Sequence, residues 1–317
     1  MAPEAALSAR GHSALRVRVT VPASSANCGP AFDAVGLALT LYNEVELAES
    51  DDVDIKIEGE GADRLPRDAR SLVVRGAQLV YQAAGRRFHG LRLRQLNRIP
   101  PSRGLGSSAT AWLGGMLGAN ALVGGVLSRS SIMELAVKEE GHPDNLAAAL
   151  HGGLAVTCWD REARGVVSLP VPEGLRFAVL VPDRESSTAE ARAALPLSYS
   201  RGDAVFNVGR TALFLAAFVR ERWDLLGPAM ADRLHQPYRG RALFPWLGRV
   251  FAAAHGAGAQ GVALSGAGPS VLAVVREAEA AAVAQAMQEA LRHDGLGSRT
   301  LVLGADAHGA RVDQFSD

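Results

Sequence analysis

Lysine is nearly missing from this sequence. Among 317 residues there are two, Lys56 and Lys138, against 31 arginines. Neither follows a glycine-rich loop: Lys56 sits in an alternating run, Lys138 in a run of helical spacing. That excludes a Walker-type G-x-x-x-x-G-K-[ST] loop and a V-A-I-K lysine of the protein-kinase kind. It also argues against Schiff-base chemistry. Any phosphate handling falls to backbone N–H groups, hydroxyls, arginine and a metal ion. Cysteine is scarce too. Two cysteines build no disulfide framework, and their flanks lack zinc-ligand spacing. Net charge is absent: 33 basic side chains balance 33 acidic ones, and the isoelectric point is near 7.1. Such a chain has no general attraction for polyanions, so neither nucleic acid nor an anionic membrane is expected as a partner. Residues 1–13 carry no apolar signal region, and the longest apolar run, 212–219, is too short to span a bilayer. A reducing cytoplasm is the expected compartment.

What is present belongs to a globular chain, with 48% hydrophobic and 21% charged residues. The length suggests two domains, at roughly 150 residues each. Residues 1–13 read as a loose tail. Residues 15–21 alternate arginine and valine as a half-buried strand, and 22–33 read as a loop rich in Ser, Asn, Gly and Pro. Strands are expected at 34–47, 53–58, 91–96 and 154–159, and a helix over 71–84. A small-residue helix should run from the 100–110 loop to about Val123. Gly114, Gly115 and Gly118 weaken it but admit another backbone closely. Further helices are expected over 131–141 and from Pro143 to Gly152. The second half reads strand (177–181), helices (188–255), two strands (261–264, 270–275), helix (277–291), strand (300–303). That order predicts an α+β fold with helices on one face of an antiparallel sheet. The boundary falls within 165–174, giving units of 14–168 and 169–317.

Three segments carry chemical signals. The first is Gly104-Leu105-Gly106-Ser107-Ser108-Ala109, opening a helix. Glycines admit a ligand close to the backbone, helix-start N–H groups suit phosphate, and serine hydroxyls can bond phosphate oxygens or ligate Mg²⁺. The same string also suits a serine-capped helix. The second is Glu134, followed by Gly141-His142-Pro143-Asp144-Asn145. Ser131 and Glu134 have capping-box spacing, while a carboxylate near the glycine loop would complete a Mg²⁺ site. The third, Ser265-Gly266-Ala267-Gly268-Pro269-Ser270, lies between two apolar strands and by itself reads as a hairpin loop.

Taken in order, these segments resemble the motifs of the GHMP small-molecule kinases. The strings P-A-S-S-A-N with Phe32-Asp33, and G-H-P-D-N at 141–145, are similar to those of the homoserine kinase branch. The resemblance runs from about residue 15 to 305. It implies a two-domain α+β fold, a ribosomal-S5-like N-terminal domain plus a ferredoxin-like C-terminal domain, with the active site between them. It implies ATP and Mg²⁺, phosphorylation of L-homoserine on its side-chain hydroxyl, a role in threonine biosynthesis and a homodimer. The nucleotide loop would comprise Pro100, Pro101, Ser102, Arg103, Gly104, Leu105, Gly106, Ser107, Ser108, Ala109 and Thr110. The Mg²⁺ ligands would be Ser108 and Glu134. Homoserine would meet Asn27, Asp33, His142, Asn145, Arg192 and Arg239. A zwitterionic substrate suits that set: its carboxylate wants a guanidinium and its ammonium a carboxylate such as Asp33. Catalysis would rest on Asn145, Asp33, Ser108 and Glu134, with Asn145 positioning the hydroxyl and no dedicated protein base. Cys28 and Ala31 depart from the family pattern, and Cys28 reads as an apolar filler. Two rivals remain: a related kinase for mevalonate-like, pantoate-like or sugar substrates, and a non-catalytic binding protein of the same fold.

Overall fold

The computed structural model describes residues 15–316; the tail expected over 1–13 lies outside the described residues. The chain begins with β1 (Leu15–Ala26), β2 (Val35–Glu49), β3 (Val53–Gly59), α1 (Leu72–Ala83) and β4 (Leu91–Asn97). It continues through α2 (Ser107–Leu122), α3 (Arg129–Glu140), α4 (Asp144–His151), β5 (Leu154–Trp159) and β6 (Arg164–Leu169). The second half contains β7 (Leu175–Pro182), α5 (Thr188–Ala193), α6 (Arg201–Val219), α7 (Leu226–Ala229), α8 (Gln236–Ala242) and α9 (Leu247–Gly256). It closes with β8 (Gly261–Leu264), β9 (Val271–Arg276), α10 (Ala280–Arg292), β10 (Ser298–Leu303) and β11 (Arg311–Ser316).

The first sheet runs β11-β1-β2-β4-β3, with the β5–β6 hairpin attached through β5 to the start of β2. Alternation in β1 fits this: Val17, Val19 and Val21 are fully buried while Arg18 faces water and forks onto Glu46 of β2. The strand does not stop at Val21. It continues past Pro22, where the register with β2 shifts by a bulge, and this accommodates a residue with no N–H. α1, α2 and α4 cover one face of the sheet in a common core. α2 is apolar on all sides because it is buried on nearly all sides, with Trp112, Leu113, Met116 and Leu117 inside. A side chain at Gly115 would collide with the Val73 carbonyl of α1, so this glycine sets the α1–α2 spacing.

The second sheet has the order β10-β7-β9-β8, antiparallel throughout. With two crossovers carrying helices, this is the ferredoxin-like arrangement. One face, with Ala178 and Leu180, packs against α9 and α10. The other face carries Phe177, Val179 and Val181. It packs against Phe214 and Phe218 of α6 and against Val35, Leu37 and Leu39 of β2. That shared core joins the two halves, so helices do not cover one face alone. The last strand also differs from expectation. β11 leaves the second unit and pairs with β1 in the first sheet, so the 169–317 segment is not one structural unit to its end. β6 was likewise not evident in the sequence.

Candidate active site

A cleft of about 440 Å³ lies between the halves. Its floor is the loop leading into α2. Gly106 is the N-cap of that helix, with a left-handed φ of 71°, and no side chain caps the first turn. The capping reading therefore fails: Ser107 and Ser108 occupy the first two helical positions, and the helix-start N–H groups remain open to the cleft. A 16-residue helix with an uncapped start is suited to an anion. Gly106 is obligatory on a second ground, because a Cβ there would collide with Ser24 Oγ. Between the glycines, the Leu105 side chain is 1% exposed and anchors the loop in the shared core.

The β8–β9 hairpin braces this loop from the other half. Ser265 Oγ donates to the Gly104 carbonyl at 2.7 Å and shares a 2.8 Å hydrogen bond with the Ser25 hydroxyl. Ser270 N–H donates to the Arg103 carbonyl, and Gly266 N–H to the Ala26 carbonyl. The third motif is thus both a hairpin and a clamp.

The metal-site expectation needs a correction. Glu134 is half-exposed, absent from the cleft lining, and paired at 2.9 Å with Arg164 on β6. α3 begins earlier than expected. Ser128, not Ser131, is the N-cap and accepts from Ser131 N–H, so the helix gains residues at its start and Glu134 lies beyond the first turn. The carboxylate that reaches the glycine loop is Glu140, at the last turn of α3. Ser108 Oγ donates to Glu140 Oε1, and both residues line the cleft. Three residues assigned to the nucleotide loop also lie outside the lining: Pro100, Ala109 and Thr110. Thr110 is fully buried, donates to the Ser107 carbonyl and accepts from Asn43 Nδ2, which fastens α2 to β2.

The remaining expected residues converge. Asn27, Asp33, His142, Asn145, Arg192 and Arg239 line the cleft together with Pro101, Ser102, Arg103 and the glycine loop. Asn27 and Asp33 have left-handed backbones. Asn27 holds that turn: its Oδ1 accepts the Asp33 N–H and its Nδ2 donates to the Gly266 carbonyl. Arg192 Nη2 donates to both Asp33 oxygens, at 2.8 and 2.9 Å. Arg239 is 2% exposed, with its guanidinium bonded to the Ala191 and Gly266 carbonyls and to His235 Nδ1. Burial pulls its pKa down to about 10, so it stays cationic at neutral pH. Phe32, which sequence reasoning missed, lies within 5.5 Å of both guanidinium carbons.

Asp144 is 1% exposed and accepts from the Asn145 N–H at 2.8 Å, with His142 Nδ1 at 3.0 Å. Burial alone would lower the His142 pKa, but Asp144, Glu140 and Asp33 outweigh it and the net shift is upward. Asn145 Oδ1 accepts from Ser24 Oγ at 2.9 Å. Behind Arg239, His235 is fully buried, and burial holds its pKa well below the ordinary histidine value. Its Nε2–H donates to the Gly29 carbonyl while Nδ1 accepts from Arg239, a neutral tautomer that satisfies both bonds. Asp232 receives the N–H groups of Leu234, His235 and Gln236 and the Asn207 amide. Burial would raise its pKa, but these hydrogen-bond donors outweigh it and hold the carboxyl below its ordinary value. Burial, with Asp144 adding to it, pushes the Cys28 thiol up to about 12, so it is an inert filler.

Family models match on both sides of the cleft: GHMP kinases N terminal domain over residues 71–153, and GHMP kinases C terminal over 214–293. The homoserine kinase of Symbiobacterium thermophilum is 48% identical over 308 residues, covering 93% of this chain and 94% of that protein. That of Desulfitobacterium hafniense is 44% identical over 300 residues, covering 93% and 99%. The crystal structure of a homoserine kinase from Cytophaga hutchinsonii superposes with a TM-score of 0.84 at 29% identity, covering 94% and 97%. The fold and the cleft are those of a GHMP-type small-molecule kinase. Within that class, the chain belongs to the homoserine kinase family.

Proposed function

We propose that the protein transfers the γ-phosphoryl group of ATP to the side-chain hydroxyl of L-homoserine, giving O-phospho-L-homoserine for threonine biosynthesis in the cytoplasm. The observation that carries this reading is one cleft holding both an uncapped phosphate-type helix start and the Asp33–Arg192 pair. Opposite charges held side by side match a zwitterionic amino acid, whose ammonium and carboxylate exchange partners with them. A mevalonate-like or pantoate-like substrate brings a carboxylate for Arg192 but no ammonium for Asp33, and a sugar brings neither charge. A non-catalytic role is disfavoured by the open helix start and the Ser108–Glu140 contact.

Ser108 Oγ and the Glu140 carboxylate are hard oxygen donors in mutual contact beside the helix start. They suit a Mg²⁺ ion bound through one or two protein oxygens and phosphate. Among the described residues no group of three or more His, Cys, Asp or Glu gathers elsewhere to compete. When bound, such an ion neutralises charge on the β- and γ-phosphates. In the transfer, the homoserine hydroxyl oxygen bonds to the γ-phosphorus as its bond to the bridging oxygen breaks, releasing ADP. The hydroxyl proton passes to a phosphoryl oxygen or water, because each cleft carboxylate is already engaged: Asp144 by Asn145 N–H and His142, Asp33 by Arg192, and Glu140 by Ser108. Phosphorus NMR on ATP, Mg²⁺ and L-homoserine tests this: a phosphomonoester and ADP should appear together, and ADP with inorganic phosphate alone would contradict it.

We also propose that two copies associate through α6. This helix is long and apolar enough to cross a membrane by length and composition, yet its inner face, with Phe214 and Phe218, belongs to the shared core. Its outward face is apolar too: Val205, Val208 and Val219 are 60–71% exposed, with Ala212 and Ala216 between them. The pattern is self-complementary about Ala212, so an antiparallel copy would bury valine on valine and set Arg201 near Glu221.

A further inference from the structure

Ser24 was not among the residues the sequence pointed to, and it does not line the cleft. It is nonetheless fully buried at the meeting point of three elements. Its N–H, on β1, donates to the Leu105 carbonyl of the glycine loop at 3.1 Å. Its hydroxyl sits against Gly106, where even a methyl group would strike it. Its hydroxyl hydrogen goes to Asn145 Oδ1 at the start of α4, 2.9 Å away.

That last bond has a directional consequence. An amide has one acceptor end and one donor end. With Oδ1 turned back to Ser24, Nδ2 points the other way. Asn145 is partly exposed and lines the cleft, and among the described residues no protein acceptor engages Nδ2. The face offered to the reacting groups is therefore a hydrogen-bond donor. A donor can hold the γ-phosphoryl oxygens or the incoming hydroxyl oxygen, and it can stabilise negative charge as it spreads over the phosphoryl group.

Resting on the phosphoryl-transfer reading above, we infer that Ser24 is a positioning residue. It locks the Asn145 amide with its donor end toward the reaction, and through Leu105 it fixes that amide relative to the phosphate loop. It touches neither substrate, so its effect appears in turnover and passes through Asn145.

The test is a double-mutant cycle with Ser24→Ala, Asn145→Ala and the pair, with kcat and KM measured separately for ATP and L-homoserine. Thermal melting serves as the folding control. Ser24→Ala should lower kcat about tenfold, the worth of one oriented hydrogen bond, and leave both KM values within about twofold. In the Asn145→Ala background the same change should do nothing further. Asn145→Asp serves as a second probe that leaves Ser24 intact. It keeps an acceptor for Ser24 but puts an oxygen where the N–H group stood, so kcat should fall with no new acidic limb in the pH–rate profile. Equal losses from Ser24→Ala in both backgrounds, or a faster Asn145→Asp enzyme with an acidic limb, would overturn the inference. Wild-type protein without homoserine-dependent ADP release would instead overturn the reading beneath it.

Discussion

Arg192 and Asp33, 159 residues apart in the chain, are joined by two hydrogen bonds from one guanidinium nitrogen to both carboxylate oxygens. The pair is about a third exposed and forms part of the cleft wall. In the proposed complex each partner gives up the other for a charge of the substrate. Removing either one should therefore weaken homoserine more than ATP. Arg192→Ala is expected to raise the KM for L-homoserine by roughly 10- to 100-fold, the range of a charge-assisted hydrogen bond, with the ATP KM nearly constant. Equal losses for both substrates would place Arg192 outside the acceptor site.

Two glutamates on one helix give a sharper contrast. Glu140 contacts Ser108, whereas Glu134 pairs with Arg164 away from the cleft. Glu140→Gln should raise the Mg²⁺ concentration needed for half-maximal activity and cut kcat by about two orders of magnitude. Glu134→Gln should leave both unchanged and cost at most about 1 kcal/mol of stability, since its pair is exposed. A magnesium titration of the two variants decides between them.

The buried cluster behind Arg239 predicts acid sensitivity. His235 stays neutral in the folded protein because burial depresses its pKa. In the unfolded chain it takes up a proton near its ordinary value of about 6.5. Below that pH the unfolded state binds more protons, so stability must fall as pH falls towards the depressed folded value. His142 contributes with the opposite sign: its folded pKa is raised, so its contribution is present below about 6.5 and is lost as pH rises through the folded value. Urea midpoints between pH 7.5 and 5 should decline in the wild type. His235→Gln should be less stable at pH 7.5 but show a flatter decline.

The outward face of α6 yields a prediction about mass. A charge within this apolar patch, which by symmetry would enter the interface twice, would be buried against alanine and valine of the other copy at high cost. Val208→Arg should elute as a monomer in light-scattering chromatography, while the wild type elutes as a dimer. Identical masses for both proteins would exclude this face.

The legibility of the chain followed the range of its interactions. Local periodicity exposed β1, α1 and β4, and the glycine pattern located the phosphate loop. What failed was decided by competition or distance. Ser128, Ser130 and Ser131 can all start a helix, and the choice of Ser128 moved Glu134 past the first turn and left Glu140 as the cleft carboxylate. β11 exists only because it finds β1, nearly 300 residues earlier in the chain, and β6 has mostly exposed side chains and no apolar alternation. Ser24 lay in plain view within P-A-S-S-A-N, but its partner is 121 residues away. Its spacing to Asn145 carries no periodic signal.

Acceptor identity decides the proposed function. The direct measurement is the coupled rate of ADP release by the purified protein with ATP and Mg²⁺, offered L-homoserine, L-threonine, L-serine or mevalonate in turn. The highest kcat/KM by far is expected for L-homoserine, with loss of that preference in Arg192→Ala. ADP release indifferent to homoserine, or faster with mevalonate, would contradict it.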